Sequence, residues 1–160
     1  MVNLLNLTVA AAAASVSILD HTQQFAFDLV SGGCRDYNSV QQFGRDNVVA
    51  QEWNLNLVGP SQFRITNAGC NTVLTYAGSA TGANTFRSQI VTLGQSGTTW
   101  IVTPADPNNP TGSVRFVESA SGLALTAWAA DPTIGLNAPL TLENNRPTDP
   151  RQTFFIVSPL

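Results

Sequence analysis

Lysine is absent from the 160-residue sequence, histidine occurs once, and only 11% of the residues are charged. The seven arginines are scattered and face ten acidic residues, so the chain has no cluster of positive charge to neutralise a phosphate backbone. We therefore expect no nucleic-acid partner. The composition also argues against disorder, because three Trp, eight Phe and many aliphatic residues can bury enough surface to offset chain entropy.

The single histidine limits nucleophilic catalysis. A Ser-His-Asp or Cys-His arrangement would depend on His21, which lies in a predicted hairpin turn over residues 20–23 where side chains are commonly exposed. The sequence holds no local carboxylate pair, phosphate loop, EF-hand loop or zincin helix motif. We predict a protein that is not an enzyme and that needs no metal and no cofactor.

Cysteine is also scarce, and the two copies, Cys34 and Cys70, do not have the spacing of a metal clip. A zinc site would lack ligands, because there is no second cysteine pair and no neighbouring histidine. One disulfide in an oxidising compartment and two free buried thiols both fit the sequence.

Long hydrophobic runs are missing as well. The apolar stretch within residues 1–14 is too short and too interrupted to span a membrane as a helix. Its small residues before Ser15 are typical of the cleavage region of a secretory signal, although no Lys or Arg precedes them. We expect a removable leader and a secreted or extracellular protein. The alternative is an ordered N-terminal arm on a cytoplasmic protein.

Three segments of the chain can be superimposed by their spacing. Each has an apolar anchor nine positions before a second apolar residue, and the three pairs are Ile18 and Phe27, Ile65 and Leu74, and Phe116 and Leu125. An aromatic residue closes each segment 35, 35 and 38 positions after its anchor: Trp53, Trp100 and Phe154. A repeat of this length indicates an architecture built from copies of one folding unit.

Apolar residues alternate within each segment, as in Arg64-Ile65-Thr66, which is the period of a half-buried β-strand. Turn residues such as Ser31-Gly32-Gly33 separate these runs. The pattern predicts about four strands in each copy. The copies, over about 15–60, 61–110 and 111–160, form one all-β domain spanning 15–160 with pseudo-threefold symmetry and no open sheet edges.

Two motifs that end these copies carry a family resemblance. Gln51-Glu52-Trp53 and Gln152-Thr153-Phe154 resemble the Q-x-W element of ricin B-like β-trefoil lectins, including those of fungi, and Thr98-Thr99-Trp100 is similar to a degenerate copy. The resemblance covers residues 15–160 and implies a β-trefoil that binds carbohydrate without altering it. The aromatic residue of each motif is expected to fill the core while its Gln bonds nearby backbone.

The resemblance also implies a set of ligand-binding residues in the first copy. Binding repeats of the family supply an Asp in the second strand, an aromatic residue some fifteen positions later and polar groups near Q-x-W. The corresponding residues here are Asp28, Gln41, Phe43 and Gln51.

This copy departs from the family pattern at one position. Ala50 stands where the family typically has Asn, and we expect Asn47 or Asp46 to substitute from the same loop. Two structural alternatives stay open: Asp28 as a carboxylate that bonds the following loop, and Phe43 as a core residue.

The other two copies have lost more of the pattern. Thr75 and Thr126 replace the aspartate, and Thr98 replaces the glutamine of the second copy. We therefore expect carbohydrate binding in the first copy only. Tyr37 and Trp128 are further loop aromatics that could contact a partner.

The sequence thus favours a lectin that binds glycans or glycoproteins. A single shallow site would be weak, so useful avidity would require a homo-oligomer. The alternative is a β-trefoil protease inhibitor that acts through the loops at 103–113 and 143–151, because fold does not fix function.

Overall fold

The computed structural model describes residues 15–76, 89–94, 96–128 and 137–159. These residues form twelve β-strands: β1 Ser17–Leu19, β2 Phe25–Leu29, β3 Asn38–Gly44, β4 Trp53–Gly59, β5 Gln62–Asn67, β6 Val73–Tyr76, β7 Ile90–Leu93, β8 Trp100–Pro104, β9 Val114–Glu118, β10 Ala124–Ala127, β11 Ala138–Glu143 and β12 Phe155–Val157. The helical elements in these ranges are short 3₁₀ turns at Val30–Gly32, Val49–Gln51 and Pro150–Gln152. The leader predicted at 1–14 lies outside the described residues.

The strands fall into three copies of four. In each copy the start of the first strand pairs with the aromatic residue that closes the copy, and the three pairs are Val16 with Trp53, Phe63 with Trp100, and Val114 with Phe154. Strands also pair between copies, β4 with β5, β8 with β9 and β12 with β1, so that the ring of strands is closed. The predicted β-trefoil of three four-stranded copies is confirmed.

The second and third strands of each copy form a hairpin, and the three hairpins meet. β2 pairs with β3, β6 with β7, and β10 with β11. β3 then pairs with both β7 and β11, and Gln89 bridges to Thr141. This arrangement places residues of the third copy next to the first hairpin.

The core is built from equivalent residues of the three copies. The three anchors and the residues nine positions after them are fully buried, as are Trp53, Trp100 and Phe154. The Trp53 indole N–H donates to the carbonyl of Phe27 at 3.0 Å, and that of Trp100 donates to Leu74 at 3.1 Å, so both rings combine apolar burial with a satisfied polar atom.

The turn after the first strand is also repeated. Asp20, Asn67 and Glu118 each donate a main-chain N–H to the carbonyl five residues later, at 3.0, 2.9 and 2.8 Å. Each also uses its side-chain oxygen to accept main-chain N–H groups within the turn. The three turns therefore share this closing hydrogen bond although their side chains differ.

The two cysteines form a disulfide. Cys34 follows the 3₁₀ turn Val30–Gly32 of the first copy and Cys70 lies in the turn after β5, so the cross-link joins the first copy to the second with a Cα–Cα distance of 5.1 Å. The alternative of two free thiols is therefore wrong. Within the part of the chain that the structure describes, no helix has the length and apolar character needed to cross a lipid bilayer.

Candidate functional site

The first hairpin brings a carboxylate and an amide side chain together. Asp28 on β2 is the direct cross-strand partner of Gln41 on β3, so their side chains lie on the same face of the hairpin. The Gln41 amide donates a hydrogen bond of 2.9 Å to Oδ1 of Asp28. The alternation of strand side chains thus positions both groups.

A second amide reaches the same carboxylate from the Q-x-W motif. Gln51 is buried at the end of the second 3₁₀ turn, and its Nε2 donates to Oδ2 of Asp28 at 3.3 Å and to the carbonyl of Gly44 at 2.9 Å. Its Oε1 accepts the main-chain N–H of Asp46 at 3.2 Å. The amide groups therefore hold both carboxylate oxygens of Asp28 in a fixed orientation.

The environment of Asp28 raises the pKa of its carboxyl group above the ordinary value of 3.8. Burial is the largest cause, because it penalises the charged form. The hydrogen bonds from Gln41 and Gln51 oppose the increase, while the negative charge of Asp46 adds to it. The carboxylate is therefore less fully hydrated than a surface aspartate and retains acceptor capacity toward a ligand.

Asp28 and Gln41 border an open cleft of about 550 Å³. One wall is the 3₁₀ turn Val30–Gly32 and the other is formed by residues 48–50, with Asp28, Gln41 and Phe43 between them in the lining. Asn137 of the third copy completes the lining. The cleft thus combines a few polar groups with apolar side chains, as small-ligand sites commonly do.

Phe43 and Asp28 do not adopt the structural roles considered as alternatives. The Phe43 side chain is 36% exposed and lines the cleft, so it is not a core residue. The side-chain bonds of Asp28 go to Gln41 and Gln51, and none of the bonds found for it reaches the loop at 31–33. Both side chains therefore belong to the lining of the cleft.

The loop residues around position 47 are arranged differently from the expectation. Asn47 is exposed, has a left-handed φ of 60° and does not line the cleft. Asp46 contributes its main-chain N–H to Gln51, and Ala50 itself lines the cleft. Four of the five predicted residues, Asp28, Gln41, Phe43 and Gln51, are therefore brought together, and Asn47 lies apart from them.

Several lining residues were not identified from the sequence. Val48 and Val49 are 40% and 54% exposed, and two consecutive aliphatic residues in a polar loop are a signal that sequence reasoning could have used. Asn137 comes from a distant copy and carries no such signal. Gln42, which occupies a usually apolar strand position, is buried and donates to the main-chain carbonyl of Trp128.

The equivalent place in the second copy is closed. Thr75 pairs with Val91 where Asp28 pairs with Gln41. Gly97 takes the position of Ala50, and a Cβ atom there would lie 2.3 Å from Oγ1 of Thr75. The main chain therefore packs directly over Thr75.

In the third copy a charged residue occupies the position equivalent to Ala50. Thr126 pairs with Thr141, and the Thr126 hydroxyl accepts from Gln152 at 3.0 Å. Arg151 takes the position of Ala50, lies 5.2 Å from the centre of the Trp128 ring and is paired with a neighbouring carboxylate. The aspartate and the open cleft thus occur together in the first copy.

Gln51 and Gln152, the glutamines of the two Q-x-W-like motifs, have the same structural role. Gln152 Nε2 donates to the carbonyl of Asn144 at 2.8 Å, and its Oε1 accepts the N–H of Arg146 at 2.8 Å, which reproduces the bonds of Gln51 to the loop before it. The family described as ricin-type β-trefoil lectin domain-like matches residues 49–142, more than half of the chain. The chain belongs to this family.

Solved structures show the same fold for this lectin-like domain. The Rhizoctonia solani agglutinin superposes with a TM-score of 0.72 at 16% identity, and the match covers 94% of this chain and 98% of the agglutinin. A Macrolepiota procera ricin B-like lectin, solved in complex with lactose, gives a TM-score of 0.71 at 17% identity and covers 95% of this chain and 100% of its own.

A designed threefold symmetric protein, ThreeFoil, is similar to the lectin-like domain as well, with a TM-score of 0.73, 17% identity and coverage of 90% of this chain and 98% of the designed one. No curated protein sequence matches the chain. The predicted family resemblance is confirmed by the family match, and the structural similarities support the fold.

Proposed function

We propose that the protein is a non-catalytic lectin that holds a neutral saccharide in the cleft of its first copy. The observation that carries the proposal is the Asp28 carboxylate, fixed by the amides of Gln41 and Gln51 and placed beside the exposed ring of Phe43 in one open cleft. The lectin-like family of the chain supports carbohydrate as the ligand class.

The chemistry of these groups suits a sugar. A carboxylate accepts hydrogen bonds from hydroxyl groups more strongly than a neutral acceptor does. The aromatic face of Phe43 can contact the weakly apolar C–H face of a pyranose ring. No arginine or histidine is among the lining residues that the structure describes, so a neutral saccharide fits the cleft better than an acidic one.

The structural relatives give the proposal a starting ligand. The Macrolepiota procera lectin was solved with lactose, a neutral disaccharide. A shallow site of this kind binds weakly, so we propose glycoproteins or other multivalent glycans as partners and homo-oligomerisation as a source of avidity. The disulfide supports a secreted location, because such bonds persist in oxidising environments.

The side chains around the cleft are consistent with a site that binds a ligand without catalysing a reaction. His21 lies in the turn after β1 and faces Asp20 at 3.9 Å, in a turn that contributes no residue to the cleft lining. No group of three or more His, Cys, Asp or Glu side chains suited to a metal ion occurs in the described ranges. The proposal therefore assigns no catalytic residue, metal or cofactor.

A glycan array tests the proposal. We expect the wild-type protein to bind a set of neutral glycans and the Asp28→Asn variant, which keeps the size of the side chain but removes its charge, to lose that signal. Asp106→Asn is the matched control, because Asp106 is a loop carboxylate whose Oδ1 accepts the main-chain N–H of Asn108 at 2.8 Å and which does not line the cleft.

The array separates the two functional hypotheses. Equal signals for the wild type and Asp28→Asn would contradict the proposed site. An empty array, together with stoichiometric inhibition of a cysteine or serine protease, would favour the protease-inhibitor hypothesis instead.

A further inference from the structure

Both walls of the cleft are held by one turn of the neighbouring copy. This turn, residues 67–72, follows β5 in the second copy and supplies no residue to the cleft lining. It contacts the wall at Val30–Gly32 through the disulfide and the wall at 48–50 through hydrogen bonds. We call residues 67–72 the bracing turn.

The first wall has a conformation that the chain does not favour by itself. Ser31 and Gly32 both have left-handed backbone angles, with φ of 55° and 60°. A left-handed conformation costs free energy for a residue with a side chain, so Ser31 is strained. Cys34, two residues further on, ties this wall to Cys70, whose sulfur lies 3.5 Å from the carbonyl oxygen of Gly32.

The second wall is fastened from the same turn. The buried side chain of Asn67 donates from Nδ2 to the carbonyls of Val49 at 3.4 Å, Ala50 at 3.1 Å and Glu52 at 3.1 Å. Gly69 packs so closely on this wall that a Cβ atom there would lie 3.1 Å from the methyl groups of Val49. The bracing turn therefore contacts both sides of the cleft.

We propose that the bracing turn is the positioning element of the ligand cleft and that its disulfide makes ligand binding sensitive to redox conditions. The inference rests on the proposed function, because it concerns the same cleft. Cys34 is exposed, so a small reductant can reach the bond. In the oxidised protein the two walls keep a fixed separation, and in the reduced protein the wall at Val30–Gly32 samples more conformations.

The redox step is an ordinary thiol–disulfide exchange with a dithiol as reductant. A thiolate of the dithiol attacks one sulfur of Cys34–Cys70, and its second thiolate then releases the protein from the mixed disulfide. The S–S bond breaks, two cysteine thiols form with two protons and two electrons from the dithiol, and the dithiol closes to its own disulfide. Ligand binding after reduction must then pay the cost of ordering the freed wall.

Amide hydrogen exchange tests the positioning step without a ligand. The main-chain N–H of Gly33 donates to the carbonyl of Val30 at 3.2 Å and reports on the first wall. The control is the N–H of Gly122, which donates to the carbonyl of Glu118 at 2.9 Å in the third-copy turn equivalent to the bracing turn, where there is no disulfide. We expect reduction with dithiothreitol to speed exchange at Gly33 by roughly tenfold or more and to leave Gly122 within about twofold.

Binding is measured with lactose-substituted agarose, on the full chain, with and without dithiothreitol. We expect reduction to shorten retention, corresponding to a roughly tenfold lower affinity, since ordering a loop commonly costs that much. The Cys34→Ser, Cys70→Ser double variant should match the reduced wild type and show no response to dithiothreitol. The fluorescence of the buried residues Trp53 and Trp100 reports whether the core stays folded. If the double variant does not fold, the comparison of oxidised with reduced wild type decides the test alone.

The outcomes separate the two proposals. Unchanged exchange at Gly33 after reduction overturns the positioning role, and unchanged retention of a protein that binds lactose overturns the redox dependence. If the oxidised wild type is not retained by lactose and binds no glycan on the array, the proposed function fails, while the exchange result still decides whether the disulfide orders the wall.

Discussion

Asp28 and Gln41 face each other across β2 and β3, and the amide of Gln41 donates a 2.9 Å hydrogen bond to the Asp28 carboxylate. The equivalent pairs are Thr75 with Val91 and Thr126 with Thr141. The backbone of the three copies is therefore alike, whereas an acidic group occurs at this position in the first copy alone. This difference in side chains, in a nearly symmetric scaffold, is the basis for assigning ligand binding to the first copy.

Phe43→Ala is expected to weaken glycan binding by roughly fivefold or more, because stacking on an exposed ring contributes about 1 kcal/mol or more to a small interface. The Phe43 ring is partly exposed, so the variant should remain stable. Isothermal titration with a glycan identified on the array measures the change.

Trp128→Ala provides the matched control for that experiment. Trp128 is also an exposed aromatic residue, at 44% exposure, but it lies in the third copy beside Arg151. Binding should be unchanged in this variant. A larger loss in Trp128→Ala than in Phe43→Ala would move the site to the third copy.

Binding is expected to weaken in mildly acidic solution. The pKa of Asp28 is raised by burial, so the carboxylate that accepts the ligand becomes protonated at a pH above the 3.8 of an ordinary aspartate. Affinity should fall as the pH is lowered through this raised pKa, and titrations at several pH values measure it. A flat profile down to pH values near 3.8 would show that the Asp28 carboxylate does not accept from the ligand.

The raised pKa of Asp28 affects folding stability in the direction opposite to its effect on ligand affinity: stability falls, rather than rises, as the pH increases. Because the pKa of Asp28 is higher in the folded state, the folded protein binds more protons than the unfolded chain between the two pKa values. The contribution to stability is fully present below pH 3.8 and is lost as the pH rises through the raised folded pKa. Urea unfolding should therefore show the free energy of unfolding of the wild type falling as the pH rises through this range. The Asp28→Asn variant, which has no carboxyl group to titrate at this position, should not show that fall.

Gln152→Ala should destabilise the fold without affecting the cleft. Gln152 makes hydrogen bonds to Thr126, Asn144 and Arg146, and its Oε1 accepts from the buried guanidinium of Arg115 at 2.9 Å. Leaving such partners unsatisfied costs roughly 2–4 kcal/mol, which urea unfolding would measure.

Gln51→Ala is the informative comparison, because Gln51 has the same structural bonds and also contacts Asp28. We expect this variant to lose both stability and glycan binding, whereas Gln152→Ala keeps its affinity under conditions in which it is folded. Equal losses of affinity in both variants would show that binding depends on global stability rather than on the orientation of Asp28.

Gly97→Ala should destabilise the second copy by roughly 1–3 kcal/mol, because the new Cβ atom collides with Thr75 and Val73 and forces them to move. Gly44→Ala is the control, since nothing lies within 4 Å of a Cβ atom at that position. Thermal unfolding of the two variants measures the difference. Equal stability would mean that the second copy has room for a ligand after all.

Much of the architecture could be predicted from the sequence because it depends on spacing. The anchors Ile18, Ile65 and Phe116 recur at nearly constant intervals, and alternation within strands sets which side chains enter the core. The family resemblance, rather than spacing alone, named Asp28 and Gln41 together, and direct pairing across the hairpin joins them.

The remaining features depend on contacts between copies or on local backbone angles, which a single sequence does not reveal. Asn137 enters the cleft from the third copy, and the Cys34–Cys70 bridge joins two turns that are distant in sequence. Asn47 has a left-handed backbone and does not line the cleft. The closure of the second copy depends on the close approach of Gly97 to Thr75, which only the packed structure shows.

The most direct test of the account is a nuclear magnetic resonance titration of the labelled protein with a neutral glycan selected on the array. The account predicts that the largest chemical-shift changes occur at the side-chain amides of Gln41 and Gln51 and at the main-chain amide of Phe43. Changes centred instead on the Trp128 indole and the Arg151 guanidinium would contradict the assignment of binding to the first copy.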